Sequence, residues 1–398
     1  MLIRRCKTMY LEPREEVGFD LAALLAGGTG LQRERRWLAL APHVGEEVEV
    51  DAIERELLGA LSPEQWTDSR ELAGEAAAAL KRLLKTGLVL GSGKRHAPLR
   101  ERDEALRRVH WHPLAATLHA FTRWDDADAV QAMQDTGTET AGELREVLGA
   151  PPVEALDLGD DSQRIALPRT ARTDFDRLLA RRATCRNFDT EKPLSYALLA
   201  QMMERVFSAQ SHVRVSEDTV FLKKSSPSGG GLHPIEAYLM VQNVEGLAPG
   251  LYHYHSIFHA LEPMPAPQQS LHALAMAAVA EQHWFANAHV MVLLAPRYDR
   301  TFWKYRSHAK AYRAVTLEAG HLSQTLYLSA TEAGLAAYIT CAINEIPLEH
   351  AFGLDHISDG AMAICGFGWR GEDMVTMELD PAGEIWHTEI PTTNPAAL

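Results

Sequence analysis

Residues Lys223 to Val241 read KKSSPSGGGLHPIEAYLMV. Two lysines lead into Ser225, Ser226, Pro227 and Ser228, three glycines follow (Gly229, Gly230 and Gly231), and Ala237–Val241 then reads as a strand. Consecutive glycines lack Cβ atoms and tolerate positive φ, so such a backbone can lie flat against a ligand. Serine hydroxyls and freed N–H groups can then bond to that ligand. The same letters also describe a flexible turn between two elements. Because a strand and not a helix follows the glycines, the stretch lacks the setting of a dinucleotide-binding or P-loop motif.

Upstream, Thr173 is placed to cap a helix running from Asp174 to Ala180, with Asp174 and Asp176 favourable in its first turn. The chain continues as RRATCRNF, residues 181–188, in which Arg182, Thr184 and Arg186 alternate. An extended segment with a period of two puts these three side chains on one side, and two guanidiniums with a hydroxyl suit a phosphate. A solvated basic surface is the plainer alternative. Pro193 and Ser195 open a further helix with Leu198, Leu199, Met202 and Val206 on its core face. Downstream, residues 250–261 read as a β-hairpin, Ala288–Ala295 as a buried strand, Val315–Ala333 as a long helix for the core or a dimer interface, and Leu335–Cys341 and Ala361–Cys365 as strands. His253 and His255 share a strand face, which suits a solvated hairpin better than a metal site.

The N-terminal third is patterned less clearly. Val48–Asp51 starts as a strand, Glu54–Leu61 and Ser69–Lys85 read as helices, and Gly87 suits a helix C-terminus before a short strand at Leu88–Leu90 and a Gly-Ser-Gly turn. Two helices and a short hairpin outline a small winged-helix-like module, suited to binding a peptide or to capping the rest of the chain. His110-Trp111-His112 has no third ligand at helical or turn spacing and reads as a structural pair. The expected organisation is a module over 1–125, a linker or arm over 126–172 and a catalytic domain over 173–398.

A net charge of −14 disfavours a general phosphate-backbone surface, so nucleic acid is not the expected partner. Cys6, Cys185, Cys341 and Cys365 form no C-x-x-C pair and read as reduced thiols of a cytoplasmic protein. No apolar run has the length of a membrane span, and the first residues carry no apolar signal segment.

Three segments then stand in order: R-x-T-x-R-x-F at 182–188, P-S-G-G-G-L-H-P-I-E at 227–236, and E-A-G-H-x-x-Q-x-L-Y-L-x-A-x-x-x-G-L at 318–335, followed by Gly366-Phe-Gly368. Together they resemble the nitroreductase superfamily, and more narrowly the SagB-type dehydrogenases that oxidise azoline rings in ribosomally made peptides. The resemblance covers roughly residues 173–375. It implies an α+β fold, a homodimer and FMN bound at the dimer interface. It implies that Arg182, Thr184 and Arg186 hold the phosphate and ribityl chain, and that Pro227, Ser228, Gly229 and Gly230 lie along the ring. The Thr340-Cys341-Ala342 backbone would sit near flavin N5, and Arg370 would reach the phosphate. The sequence departs from the family pattern in having Thr184 for serine, Ala183 for a second basic residue, and the more glycine-rich Pro-Ser-Gly-Gly-Gly at 227–231 for the usual Pro-Ser-Ala-Gly.

Aromatising an azoline removes a hydride and a proton, so a base of suitable pKa is needed beside the flavin. The Lys-Tyr pair of azoline dehydrogenases would match Lys304 and Tyr305, with Lys304 as base and Tyr305 positioning substrate or relaying the proton; Arg300 and Arg306 nearby would favour neutral lysine. The expected partners are a precursor peptide and a cyclodehydratase. Two alternatives stand beside this reading: a general NAD(P)H-dependent nitro- or quinone reductase, and a non-catalytic scaffold recruiting a precursor peptide.

Overall fold

The computed structural model describes residues 1–159, 164–381 and 383–386. The chain divides into two compact units, the first made of 1–123, 297–315 and 354–360 and the second of 124–296, 316–353 and 361–398.

In the first unit, Leu2–Arg5 is the middle strand of a three-stranded antiparallel sheet, flanked by Thr67–Asp68 and Val89–Gly91. Helices Ala52–Ala60 and Glu75–Thr86 close its core around Ile3, Leu58, Leu83, Leu88 and Leu90, all essentially inaccessible. Asp51 and Glu54 form a reciprocal capping box at the first helix, and Gly87 ends the second in the left-handed conformation expected there. The second helix starts later than its leucine spacing suggests. Asp68 caps a single 3₁₀ turn at Ser69–Glu71, and Gly74, at φ 59°, breaks the path before Glu75. No hairpin follows Gly87 either: Val89–Gly91 pairs with Leu2–Arg5, and the chain enters helix Ala97–Val109, where Pro98 in the first turn favours a helical start. A long hairpin, Tyr10–Phe19 with Leu31–Leu40, occupies a stretch that looks unpatterned in sequence. Its strands are stitched by exposed pairs, Arg33 with Glu15 at 2.5 Å and Arg36 with Glu16, and Arg14 reaches across to Glu47 of the third strand, Glu47–Glu49, at 2.8 Å.

The second unit holds a six-stranded, wholly antiparallel sheet, in the order Ala260–Pro263, Gly250–His255, Ile235–Val241, Val290–Pro296, Ala363–Gly368, Ala336–Thr340. Every residue of Val290–Pro296 is buried, as its unbroken apolar run predicts. The α+β class and the strands expected at 237–241, 250–261, 288–295 and 361–365 are borne out, with ends shifted by a few residues. Helix Ala311–Glu332 carries the long apolar pattern, its last seventeen residues within this unit.

Gly366 and Gly368 explain the Gly-Phe-Gly motif as packing. Tyr338 stands directly opposite Gly366 in the ladder, and a Cβ on Gly366 would lie 2.1 Å from its ring. A Cβ on Gly368 would lie 2.1 Å from Nδ1 of His289, whose Nε2 meets the Lys192 carbonyl at 2.7 Å. The missing side chains leave room for two buried rings.

Candidate cofactor site

After helix Asp174–Arg181, capped reciprocally by Thr173 and Asp176, the chain runs extended along the edge of the sheet. Thr184 makes a parallel bridge to Ala337, and Cys185 N–H donates to the Ala337 carbonyl at 2.9 Å. The period of two then sorts the side chains: Cys185 and Asn187 are buried, while Arg182, Thr184 and Arg186 sit half-buried on the other side. Burial pushes the Cys185 thiol up to about 11, so it stays protonated.

The long helix meets this segment through Tyr327. Its hydroxyl lies 2.9 Å from Thr184 Oγ1 and accepts from Ile339 N–H at 3.1 Å, and the Arg182 guanidinium lies 5.3 Å from its ring centroid. Burial raises the Tyr327 pKa above the ordinary phenol value, which keeps it a neutral bridge.

The glycine stretch is anchored at both ends. Ser226 is buried, its Oγ 2.8 Å from Thr325 Oγ1 on the long helix. Ser228 Oγ accepts from His233 N–H at 2.8 Å, and Gly231 N–H donates to the Ser228 carbonyl at 3.1 Å. Gly230 and Gly231 take φ of 68° and 69°, a conformation that penalises a side chain, and a Cβ on Gly231 would meet open space. The third glycine therefore serves the backbone turn. At Thr340–Ala342, Ala342 N–H donates to Thr340 Oγ1 at 3.1 Å, Gln282 Nε2 donates to the Ala342 carbonyl at 3.0 Å, and Cys341 is exposed.

An anion already sits among the expected phosphate ligands. The buried carboxylate of Glu378 accepts from Arg186 N–H at 2.6 Å, Asn187 N–H at 3.0 Å and Asn187 Nδ2 at 2.9 Å with one oxygen. Its other oxygen takes Trp386 Nε1 at 2.9 Å and pairs with the Arg370 guanidinium. Arg186 Nη1 donates to the Met377 carbonyl at 2.8 Å, while its Nε is buried with no hydrogen-bond partner. Arg370 is joined to the same edge by a bridge to Phe188, and burial lowers its pKa from the ordinary guanidinium value. Two backbone N–H groups, an amide, an indole N–H and the Arg370 guanidinium converge on this carboxylate, which satisfies them. The orphaned Arg186 Nε, the Arg182 guanidinium and the glycine turn at Gly229–Gly231 lie in the same unit, and these residue types suit a phosphate-bearing planar cofactor.

The nitroreductase family matches residues 179–369, which spans the Arg182–Arg186 segment, the glycine stretch, Tyr327 and Thr340–Ala342, while Arg370 and Glu378 lie just beyond it. A protein of Methanocaldococcus jannaschii named as a nitroreductase, MJ1384, is 31% identical over 179 residues, 44% of this chain and 82% of that protein. The chain belongs to the nitroreductase family. Among its relatives are two peptide-processing proteins. The trifolitoxin-processing protein TfxB of Rhizobium leguminosarum bv. trifolii is 31% identical over 36% of this chain and 38% of its own length. The microcin B17-processing protein McbC of Escherichia coli is 26% identical over 47% of this chain and 66% of its own length. This chain thus spans less than two thirds of either processing protein.

Within this nitroreductase-family chain, all the expected cofactor residues lie in the second unit. Arg182, Thr184 and Tyr327 are brought together, and so are Arg186 and Arg370. Lys304 and Tyr305 lie in the first unit, at the end of helix Tyr298–Lys304, with Lys304 Nζ 5.5 Å from the Tyr305 ring centroid. Sequence reasoning missed Tyr327, Asn187 and Glu378. Tyr327 lies inside the 318–335 motif and was open to discovery. Glu378 lies 192 residues beyond Arg186 and carries no local signal.

Proposed function

We propose that this chain is an FMN-dependent oxidoreductase of the SagB type, dehydrogenating thiazoline or oxazoline rings of a ribosomally made peptide to thiazoles or oxazoles. The observation that carries the reading is that the Arg182–Arg186 segment and the glycine stretch are tied to the same long helix, Thr184 to Tyr327 and Ser226 to Thr325, in a nitroreductase-family chain whose relatives include two peptide-processing proteins. Arg182, Thr184, Arg186 and Arg370 would hold the FMN phosphate and ribityl chain. Pro227, Ser228, Gly229 and Gly230 would line the ring, and the Thr340-Cys341-Ala342 backbone would lie near N5. When bound, FMN supplies a ring able to take up a hydride. Lys304 accepts the accompanying proton at Nζ, and Tyr305 orients the azoline. The first unit takes the precursor peptide, and a cyclodehydratase supplies the azoline. The proposed assembly is a homodimer, as the resemblance implies.

The test begins with the absorption spectrum of purified protein, where a flavin band is expected. A synthetic thiazoline peptide should then gain the thiazole chromophore and lose two mass units. Lys304→Ala should lower that turnover at least 100-fold with flavin occupancy unchanged. Unchanged turnover in this variant removes Lys304 as base. A colourless folded protein counts for the scaffold reading, and rapid NAD(P)H bleaching without peptide turnover for the general reductase.

A further inference from the structure

The segment carrying Lys304 and Tyr305 is held at both ends by one dipeptide, His110-Trp111, and every residue of this device belongs to the first unit. Helix Tyr298–Lys304 is two-faced: Tyr298, Thr301 and Phe302 are buried, while Trp303 and Lys304 are exposed. The buried face rests on Trp111. Its ring centroid lies 4.5 Å from that of Tyr298 and 4.7 Å from that of Phe302, both tilted, within the range where aromatic pairs attract beyond simple burial. Trp111 is itself fixed from two other directions. Its Nε1 donates to the Ile357 carbonyl at 2.8 Å, and His119 stacks on it at 5.4 Å with 17° between the planes. His119 is tied in turn, its Nε2 3.1 Å from the His356 carbonyl and its Nδ1 3.3 Å from the Tyr312 hydroxyl.

The far end of the segment is tied by the adjacent residue. His110 ends helix Ala97–Val109 in the left-handed region, φ 61° and ψ 38°, and its carbonyl accepts from Ser307 N–H at 2.8 Å. Ser307 is also left-handed, at φ 50°. Two non-glycine residues in this sparsely populated conformation are joined by one hydrogen bond. Such a conformation persists where its surroundings over-determine it. Between the ring contact and this bond lie only Trp303 to Arg306.

We infer that His110-Trp111 is the positioning element for Lys304 and Tyr305, setting the helix end through the Trp111 ring and the following turn through the His110 carbonyl. The inference rests on Lys304 being the base of the proposed reaction. Trp111 touches neither substrate nor cofactor in this role; it fixes where Nζ can reach, and a misplacement of about 1 Å costs on the order of 100-fold in rate.

The test uses the full-length flavin-loaded enzyme with a synthetic thiazoline peptide. Trp111→Leu should lower kcat at least tenfold, leaving KM and flavin content within about twofold, and Trp111→Phe should recover most of the rate. In a Lys304→Ala background, Trp111→Leu should change the remaining turnover by less than twofold, because a positioning residue has nothing left to position. Hydrogen exchange on the same chain without substrate gives a second readout: amides 305–308 should exchange faster in Trp111→Leu, while those of strand Leu2–Arg5 stay protected. Unchanged kcat, or a full additional loss in the Lys304→Ala background, overturns the inference. If Lys304→Ala itself leaves turnover intact, the reading of the base fails, and the exchange result still decides whether Trp111 holds this segment. Should Trp111→Leu not fold, Phe302→Leu thins the same contact from the helix side and is read by the same outcomes.

Discussion

His119 shows how one buried side chain ties the first unit to pH. Burial holds its pKa down at about 3, with the neighbouring His356 and Arg123 adding to the effect. His356 is held down to about 4, again mainly by burial, with Arg123 and Arg102 next. In the folded state both rings refuse a proton that they accept near pH 6.5 when unfolded. Stability from this pair is therefore complete above about pH 6.5 and drains as the pH falls towards the folded-state values, because the unfolded chain then binds more protons. For His119 alone the full loss is on the order of 5 kcal/mol. His119→Gln, an uncharged replacement with a donor and an acceptor, should make the unfolding free energy of the protein less steep between pH 6.5 and 4. Urea titrations across that range measure it, and an undiminished slope assigns the acid sensitivity elsewhere.

At the scale of elements, the strand pair Ala336–Thr340 and Ala363–Gly368 depends on absent atoms. A methyl at Gly366 would enter the Tyr338 ring, which is itself fully buried and stacked on Phe285 at 4.1 Å. Neither ring has room to retreat in a close-packed interior. Gly366→Ala should cost about 3 kcal/mol, read as a lowered midpoint in thermal or urea unfolding, and Tyr338→Leu in the same chain should recover part of it. Elements also differ in how openly the sequence announces them. Residues 237–241 and 288–295 are legible because burial on both faces demands unbroken apolar runs. The hairpin Tyr10–Phe19 with Leu31–Leu40 is not legible, because cross-strand charges such as Glu15 with Arg33 and Arg35 hold it, and charge-rich strands show no apolar alternation. Leu72 and Ala76 keep helical spacing across Gly74, so periodicity alone extends that helix nearly two turns too far towards Ser69.

For the whole molecule, the family and the segments proposed to hold the cofactor were legible because three short motifs keep their order over about 150 residues of chain. The contacts that hold each unit's segments in place were not, because they join distant residues: Glu378 reaches back to Arg186 in the second unit, and Trp111 reaches forward to Phe302 in the first. The four cysteines divide in a way that turns the chain into its own reporter. Cys6, Cys185 and Cys365 are buried, and Cys341 alone is exposed, inside the Thr340–Ala342 segment assigned to the cofactor. An aromatic disulfide reagent should therefore titrate one sulfhydryl per native chain and four after denaturation. Partial burial and the neighbouring Glu345 raise the Cys341 pKa, so the native reaction should be slow and should quicken with rising pH. Added FMN should slow it further, giving a colorimetric measure of cofactor seating that needs no substrate; an unaltered rate at saturating FMN would place the ring away from Cys341.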